Sequence, residues 1–288
     1  MSELYDKLKD YWKDKLGKYG DELITEHGKE LKAYSIVSIE DVIEQLEQNK
    51  FRLESYSKTA WSKILDIAHL KEYMRPDYIK DALKITTHQP ALGQGEFLFV
   101  SCFKNLGISK ESGDLVDLNT NEKIEFKGNR SSFSGEDKDK YKYKKMTDDT
   151  LYSICSLFDH IENKDTSLDA EFCKLIDTKL KEQPEHIDKV IELTQNIEST
   201  ENNKTASHSL TKMFGDLYRK YHDLQHVVAA MHCYTYLKLQ KTNWLVITND
   251  NGFMIFEAPM DAEDAWTIVK QLKIGSWNTQ NKGIEISL

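Results

Sequence analysis

Two short stretches in the middle of the chain have the polarity pattern of paired strands. Residues 115–118 are mostly apolar, residues 119–121 read Asn-Thr-Asn, and residues 123–127 alternate between polar and apolar side chains. Alternation is typical of a strand with one buried face, and Asn-rich segments favour turns. The pattern therefore predicts two strands joined by a turn.

A second strand pair is predicted near the end of the chain. Residues 244–248 and 253–257 are strongly apolar and flank the sequence Asn-Asp-Asn-Gly. Such a sequence between two apolar runs is typical of a hairpin turn. A last strand is predicted over residues 284–288.

Most of the remaining chain has apolar residues at helical spacing. Ser38 followed by acidic residues indicates a helix start, and Gly107 follows an apolar face as a helix C-terminal cap would. The segments predicted to be helical are residues 1 to about 87, 94–106, about 148–198, 209–239 and 261–273. This mixture of helices and strands indicates an α/β fold.

Composition and charge restrict the class of protein. The 288 residues are 39% hydrophobic and 30% charged, as expected of a globular chain, and no run of 18 apolar residues predicts a membrane span. The formal net charge of −9 argues against a protein that coats nucleic acid by bulk charge. Four widely spaced cysteines predict free thiols, and the N-terminus has no signal-like pattern, so a cytoplasmic location is expected.

The candidate chemistry lies on the first strand pair. Alternate side chains of a strand share a face, so Glu125 and Lys127 should point together, opposite to Phe126. Asp114, at the start of the preceding strand, can approach the same face. Carboxylates that bind Mg²⁺ and a lysine that helps to supply a hydroxide suit a metal-dependent phosphodiester hydrolase. The alternative is a solvated strand face, because Glu-x-Lys triplets also occur elsewhere, as at Glu30.

Three segments, in this order, resemble the PD-(D/E)XK nuclease superfamily. They are Gly95-Glu96 at the start of a predicted helix, Gly113-Asp114 at the start of a strand, and Glu125-Phe126-Lys127 on the next strand. The resemblance covers residues 93–134 and, more loosely, a later helix and strand. The chain departs from the family pattern in having Gly where the family name has Pro, and in showing no third core strand after the Glu-x-Lys triplet.

The resemblance implies a restriction-endonuclease-like core, in which helices flank a mixed sheet. Residues 88–288 would form this core, residues 1–87 a helical N-terminal region, and residues 146–206 approximately a helical insertion. The implied activity is metal-dependent endonucleolytic cleavage of DNA, in a restriction-like, homing or phage-encoded role. A phage-encoded protein would act in the host cytoplasm. Cutting both strands generally needs two sites, so a homodimer is expected.

The roles of the site residues follow from the same resemblance. Asp114, Glu125 and the Phe126 carbonyl would hold the metal ion, and Glu96 would complete its shell directly, through water, or with a second ion. Lys127 would orient the attacking water or stabilise the developing charge. Oxygen ligands alone favour Mg²⁺ or Mn²⁺ over zinc.

Positive charge is concentrated shortly after this site. Lys140, Lys142, Lys144 and Lys145 are interspersed with tyrosines, a composition that suits phosphate contacts and base stacking. Arg130, which closely follows the Glu-x-Lys triplet, is expected to touch the DNA backbone near the cut. The alternative for the lysine tract is a solvated loop that nearby acidic residues balance.

Two other functions stay open on the sequence. A nuclease-fold protein without activity could bind DNA or assist an assembly, although the complete set of site residues argues against it. The spacing of His222 and His226 is that of zinc hydrolases, with Asp223 in place of the usual Glu and His232 on the same predicted helix. The alternative for these histidines is an ordinary helix face.

Overall fold

The computed structural model describes residues 10, 34–85, 93, 95–110, 112–135, 142–158, 167–198 and 204–288. Predictions that concern other residues, among them Lys140 and most of the helical segment before residue 34, lie outside the described residues. The chain divides into two compact units. The first consists of the chain up to Gly128 together with Gln240–Glu257, and the second consists of Asn129–Leu239 together with Ala258–Leu288.

Each unit contains helices and strands. Up to Gly128 the elements are α1 (Ile39–Gln48), β1 (Tyr56–Ala60), α2 (Ile64–Ile67), α3 (Asp77–Ile85), α4 (Glu96–Cys102), β2 (Leu106–Ile108), β3 (Leu115–Asp117) and β4 (Lys123–Lys127). The later elements are β5 (Ser131–Ser132), α5 (Asp148–Cys155), β6 (Ser167–Leu168), α6 (Ala170–Glu182), α7 (Ile187–Leu193), α8 (Lys204–Tyr221), α9 (Leu224–Gln240), β7 (Trp244–Asn249), β8 (Gly252–Glu257), α10 (Ala262–Val269), β9 (Lys273–Ile274), β10 (Trp277–Asn278) and β11 (Glu285–Ser287).

A mixed six-stranded sheet forms the centre of the first unit. Its strand order is β1-β8-β7-β4-β3-β2, in which β4 and β7 run parallel and the other neighbours run antiparallel. The sheet, with helices beside it, confirms the predicted α/β class. A parallel pair requires a crossover connection, which residues 128–243 provide here.

The predicted strand pairs are present. β3 and β4 pair antiparallel, and β4 covers the alternating residues 123–127 as predicted. β7 and β8 form the predicted hairpin. The Asn249 side chain closes its turn by accepting hydrogen bonds from the Asn251 and Gly252 amides at 2.9 and 3.0 Å. The predicted last strand is present as β11.

One face of β4 packs against α4. All seven residues of α4 are buried, and the ring centre of Phe99 lies 5.4 Å from that of Phe126 and 5.2 Å from that of Phe253. Edge-to-face contacts of this kind add to the gain from apolar burial. The apolar side of β4 is therefore fixed by α4, which leaves the other side to Glu125 and Lys127.

The segment before residue 87 is not purely helical. Residues 56–60 form β1, an edge strand that pairs with β8. Phe51 packs against Phe103 of the same unit at a ring distance of 4.7 Å. α1 begins as predicted, with Ser38 as its N-cap. The residues before the predicted boundary share the apolar core of the sheet, so the observed division of the chain differs from the predicted one.

Two predicted helices have different limits in the structure. The helix predicted over 94–106 ends earlier as α4, because Leu106–Ile108 pair with β3 as strand β2. Gly107 is therefore a strand residue and not a helix cap. The helix predicted over 209–239 is divided into α8 and α9 at His222, whose φ of +52° lies outside the right-handed helical region.

The second unit combines helices with two small sheets. β6 pairs with β10, and β5, β11 and β9 form a three-stranded sheet in that order. The predicted insertion at 146–206 contains α5, α6 and α7 but is only part of this unit. The largest fully buried side chains among the described residues of the unit are Phe133, Phe172, Phe214, Tyr218 and Trp277.

Two predictions about the whole chain can be compared with the described residues. No helix in that part of the chain is long and apolar enough to cross a membrane. The four cysteines all belong to it, and none of them forms a disulfide, as predicted; all four are buried.

Candidate metal-dependent active site

Asp114 lies where the pairing of β3 and β4 becomes irregular. Leu115 is the register partner of Ile124, yet the Ile124 carbonyl also accepts a hydrogen bond from the Asp114 amide at 2.9 Å. Gly113 has a φ of +72°, and a Cβ there would lie 3.0 Å from the Ile124 carbonyl oxygen. Irregular pairing redirects side chains and is frequent beside active sites. Here it leaves the Asp114 carboxylate directed at β4.

The Asp114 carboxylate is held by the backbone of β4. Its Oδ2 accepts a hydrogen bond from the Phe126 amide at 2.7 Å. The N–H and C=O of one strand residue point to the same side, so the Phe126 carbonyl is directed to the side on which Asp114 lies. β3 begins only at Leu115, so the Phe126 carbonyl lies beyond the last regular residue pair of β3 and β4. The structure thus brings together two of the predicted metal ligands.

Glu125 and Lys127 share the other face of β4, as the alternation predicted. Lys127 Nζ lies 3.0 Å from Glu125 Oε1, and the two side chains are only 13% and 7% exposed. Little water screens such a pair, so its attraction is stronger than that of a surface ion pair. The Thr248 hydroxyl donates to the Lys127 carbonyl at 3.4 Å and ties the end of β4 to β7.

Glu96 begins α4 and is buried. Its carboxylate accepts a hydrogen bond from the Gly93 amide, and a Cβ at Gly93 would overlap this carboxylate. Gly95 has a φ of +93°, and a Cβ there would lie 2.6 Å from the Trp61 ring. The Trp61 indole donates to the Asn249 carbonyl at 2.7 Å. The first turn of α4 is thus packed against a side chain that is itself fixed to the β7–β8 turn.

The three carboxylates and the lysine interact electrostatically. Burial is the main cause that raises the pKa of Glu96 to about 8, and the charges of Asp114 and Glu125 add to the effect. Burial, and after it the charge of Glu125, raise the pKa of Asp114 to about 6, although the Phe126 amide and Lys127 lower it. When all are ionised, three carboxylates and one ammonium leave two negative charges uncompensated within the set. Such a set favours a bound proton or a cation.

These residues fit a magnesium or manganese ion with two carboxylate ligands. Asp114, Glu125 and the Phe126 carbonyl offer the hard oxygen donors that these ions prefer, and Mg²⁺ commonly takes one or two carboxylates while keeping several waters. Within the described residues, no three His, Cys, Asp or Glu side chains are grouped so that they could hold one ion. The arrangement therefore gives no support to Glu96 as a third carboxylate ligand. That Glu96 contacts the ion through a water molecule stays a prediction.

The residues predicted to contact DNA belong to the second unit. Arg130 is exposed and has a φ of +57°. Lys142 and Lys145 are also exposed, and Lys142 forms an ion pair of 3.4 Å with Glu198. These three cations are accessible to a polyanion, and their contact with DNA stays a prediction.

Lys144 differs from the other members of the lysine tract. Its Nζ donates to the Leu193 carbonyl at 3.0 Å, at the end of α7. Burial lowers the pKa of Lys144 to about 8, although Glu192 and Glu198 raise it. Its bond to a helix C-terminus indicates a structural role, and its contact with phosphate stays a prediction.

The histidines of the zinc alternative do not share one helix face. His222 lies in the break before α9, and its ring packs edge-on against Tyr218. His226 lies within α9, with its Nδ1 2.9 Å from an Asp223 oxygen. His232 is fully buried, and both of its ring nitrogens bond to backbone groups, at 2.8 and 3.0 Å. Among the described residues, no three potential metal ligands are grouped so that they could hold one ion, so the structure adds no support to the zinc alternative.

Two residues that shape the site, Gly93 and Trp61, were not predicted from the sequence. A Gly-x-Gly sequence before Glu96 predicts a tight turn, but it does not reveal that Gly93 touches the carboxylate. Trp61 follows a polar segment and contacts Gly95 only through tertiary structure. Aromatic residues next to an edge strand are the sole local signal that could have indicated its role.

A comparison with protein-family models, curated proteins and solved structures finds no match to this chain.

Proposed function

We propose that this protein is a Mg²⁺-dependent DNA endonuclease with a PD-(D/E)XK-type core. The observation that carries the proposal is the buried, interacting set of Asp114, Glu125, Lys127 and Glu96. The order of elements supports it: α4, β2, β3 and β4 come first, and α9 and β7 follow, with β7 parallel to β4. The core of the superfamily runs helix, three strands, helix and strand, and these elements occur in that order, with β2, before β3, as a strand that was not predicted from the sequence.

Each residue has a physical role in this proposal. A bound Mg²⁺ would make a coordinated water more acidic and offset charge on the phosphate. The Phe126 amide fixes the Asp114 carboxylate, and Lys127 fixes that of Glu125, so both are preorganised as ligands. Lys127 Nζ can also donate to a water or to a phosphate oxygen. Glu96, with its pKa raised to about 8, can exchange a proton near neutral pH and so adjust the charge of the set.

Cleavage of plasmid DNA in Mg²⁺ or Mn²⁺ tests the proposal. Asp114→Asn and Lys127→Ala should each lower the rate by about 10²- to 10⁴-fold, the usual range for groups that act in proton transfer and charge stabilisation. Glu122→Gln, on the same hairpin but outside the set, should cut like the wild type. Circular dichroism verifies that each variant is folded. A wild-type protein that leaves supercoiled, linear and single-stranded DNA intact with both ions would contradict the proposal.

A nuclease-fold protein that binds DNA without cutting it is the second candidate. The lack of a three-carboxylate group among the described residues favours it. This candidate predicts that wild type shifts DNA in a gel without cleaving it, and that Asp114→Asn shifts DNA equally well. The nuclease proposal instead predicts that Asp114→Asn binds DNA and that only the wild type cuts it.

A further inference from the structure

An apolar cavity lies within the second unit, between α8 and α9. It has a volume of about 320 Å³, and its walls include Ile197, Leu210, Met213 and Leu239. Leu210 and Met213 lie three residues apart on α8, so they share one helix face. Small-molecule sites typically have volumes of about 300–1,000 Å³. The cavity is therefore large enough for a small ligand, and its walls favour an apolar body.

Two polar groups lie on the α9 wall of this cavity. Thr235 is only 4% exposed, and its hydroxyl has no hydrogen-bond partner. Lys238, one helical turn later, is exposed, and its ammonium lies 5.6 Å from the centre of the Tyr234 ring. Among the described residues that line the cavity, Lys238 is the only charged one. A buried donor without a partner is costly, and a ligand acceptor would recover that cost.

We infer that this cavity binds a small amphiphilic carboxylate, of the class of medium-chain fatty acids. The alkyl chain takes the apolar space, and the carboxylate accepts hydrogen bonds from the Lys238 ammonium and the Thr235 hydroxyl. Residues three apart on a helix are neighbours, so one head group can reach both. A cationic head group would meet a like charge. The inference is independent of the proposed nuclease activity, because the cavity uses no residue of that site.

Calorimetric titration of the full chain with hexanoate, octanoate and decanoate, each below its micelle concentration, tests the inference. Each buried methylene should raise the affinity about fourfold until the cavity is full, after which the affinity should stop rising. Octylamine should bind more weakly than octanoate, and octan-1-ol between the two. The absence of saturable carboxylate binding, or equal binding of octylamine, would overturn the inference.

Variants locate the binding site. Met213→Trp fills the cavity and should weaken octanoate binding at least tenfold, whereas Leu175→Trp, at a partly exposed position of α6 outside the cavity, should not. Lys238→Met should weaken binding about two- to fivefold, and Lys212→Met, at an exposed position of α8 outside the cavity, should leave it unchanged. If Met213→Trp does not fold, Thr235→Val replaces it, with an expected loss of about two- to tenfold. Octanoate binding that none of the cavity variants weakens would overturn the assignment.

Discussion

The backbone conformation of Gly113 determines the position of the Asp114 carboxylate. The Gly113 φ of +72° would cost any residue with a Cβ about 1–2 kcal/mol. The added Cβ would also lie only 3.0 Å from the Ile124 carbonyl oxygen. Gly113→Ala should therefore lower the free energy of unfolding by about 1–2 kcal/mol. It should lower the cleavage rate as well, even where the variant is fully folded, because Asp114 is displaced. Urea unfolding and plasmid cleavage on the same preparation measure both effects; a folded variant with the wild-type rate would contradict this role.

Glu96 should make the metal-free protein less stable at high pH. An acid that has a higher pKa in the folded than in the unfolded state binds its proton more tightly when folded, so stability falls as pH rises. For Glu96 the window runs from its ordinary value of 4.5 to about 8. Glu96→Gln should remove most of this pH dependence and be a few kcal/mol more stable than wild type at pH 8, since one pKa unit corresponds to about 1.4 kcal/mol.

Urea unfolding in EDTA at pH 5.5, 7 and 8.5 measures this dependence for Glu96. Glu40→Gln, at an exposed position of α1, serves as the control and should follow the wild-type pH profile. Equal slopes for wild type and Glu96→Gln would show that another group is responsible.

Local pattern was sufficient for part of the site. Alternation alone placed Glu125 and Lys127 on one face, because the side-chain period of a strand is fixed by backbone geometry. The contact of Gly93 with Glu96 and the bond from Lys144 to the end of α7 were not predictable in this way. Both join segments whose proximity depends on tertiary packing, about which a run of neighbouring residues carries no information.

At the scale of elements, the strands that were missed lack the pattern that identifies the others. β2 has three residues, which are too few to distinguish a strand from the end of a helix by periodicity. These residues form a strand because they pair with β3. β1 is an edge strand with a mostly exposed, polar surface, so it shows no apolar alternation. The break between α8 and α9 comes from the left-handed His222 and not from Gly or Pro, which leaves the apolar stripe uninterrupted in sequence.

Trp61 links two elements of the first unit, and its replacement should affect the site. Trp61→Phe removes the hydrogen bond to the Asn249 carbonyl and part of the surface against Gly95. A loss of about 1–2 kcal/mol in unfolding free energy is expected from one buried hydrogen bond and a small cavity. Because the first turn of α4 loses its support, kcat should fall with little change in KM.

The control for Trp61 is Tyr56→Phe, which removes a polar group from β1 without touching α4. It should leave kcat at the wild-type value. If Trp61→Phe lowers stability while kcat stays unchanged, Trp61 supports the fold alone and does not position Glu96.

At the scale of the whole molecule, the units are defined by contacts between distant segments. The chain passes from one unit to the other after Gly128, after Leu239 and after Glu257. Only the first of these transitions lies at a Gly- and Ser-rich stretch, residues 128–135, and the other two have no composition of that kind. The predicted boundaries at 87, 146 and 206 followed changes of local pattern instead. The net charge of −9 gives a further constraint: any contact with DNA must use local groups of cations such as Arg130.

Binding of Mg²⁺ at the proposed site should stabilise the folded chain. A ligand that binds only the folded state adds about 2.7 kcal/mol at a concentration one hundred times its Kd. Protons compete with the cation for Asp114, whose pKa is raised to about 6, and a proton on Glu96, whose pKa is raised to about 8, reduces the negative charge near the ion. The stabilisation should therefore increase between pH 6 and pH 8.5. Thermal unfolding over a range of MgCl₂ concentrations at both pH values measures it. Asp114→Asn should abolish the response and Glu122→Gln should retain it, whereas a response that depends on neither pH nor Asp114 would mean that Mg²⁺ binds elsewhere on the molecule.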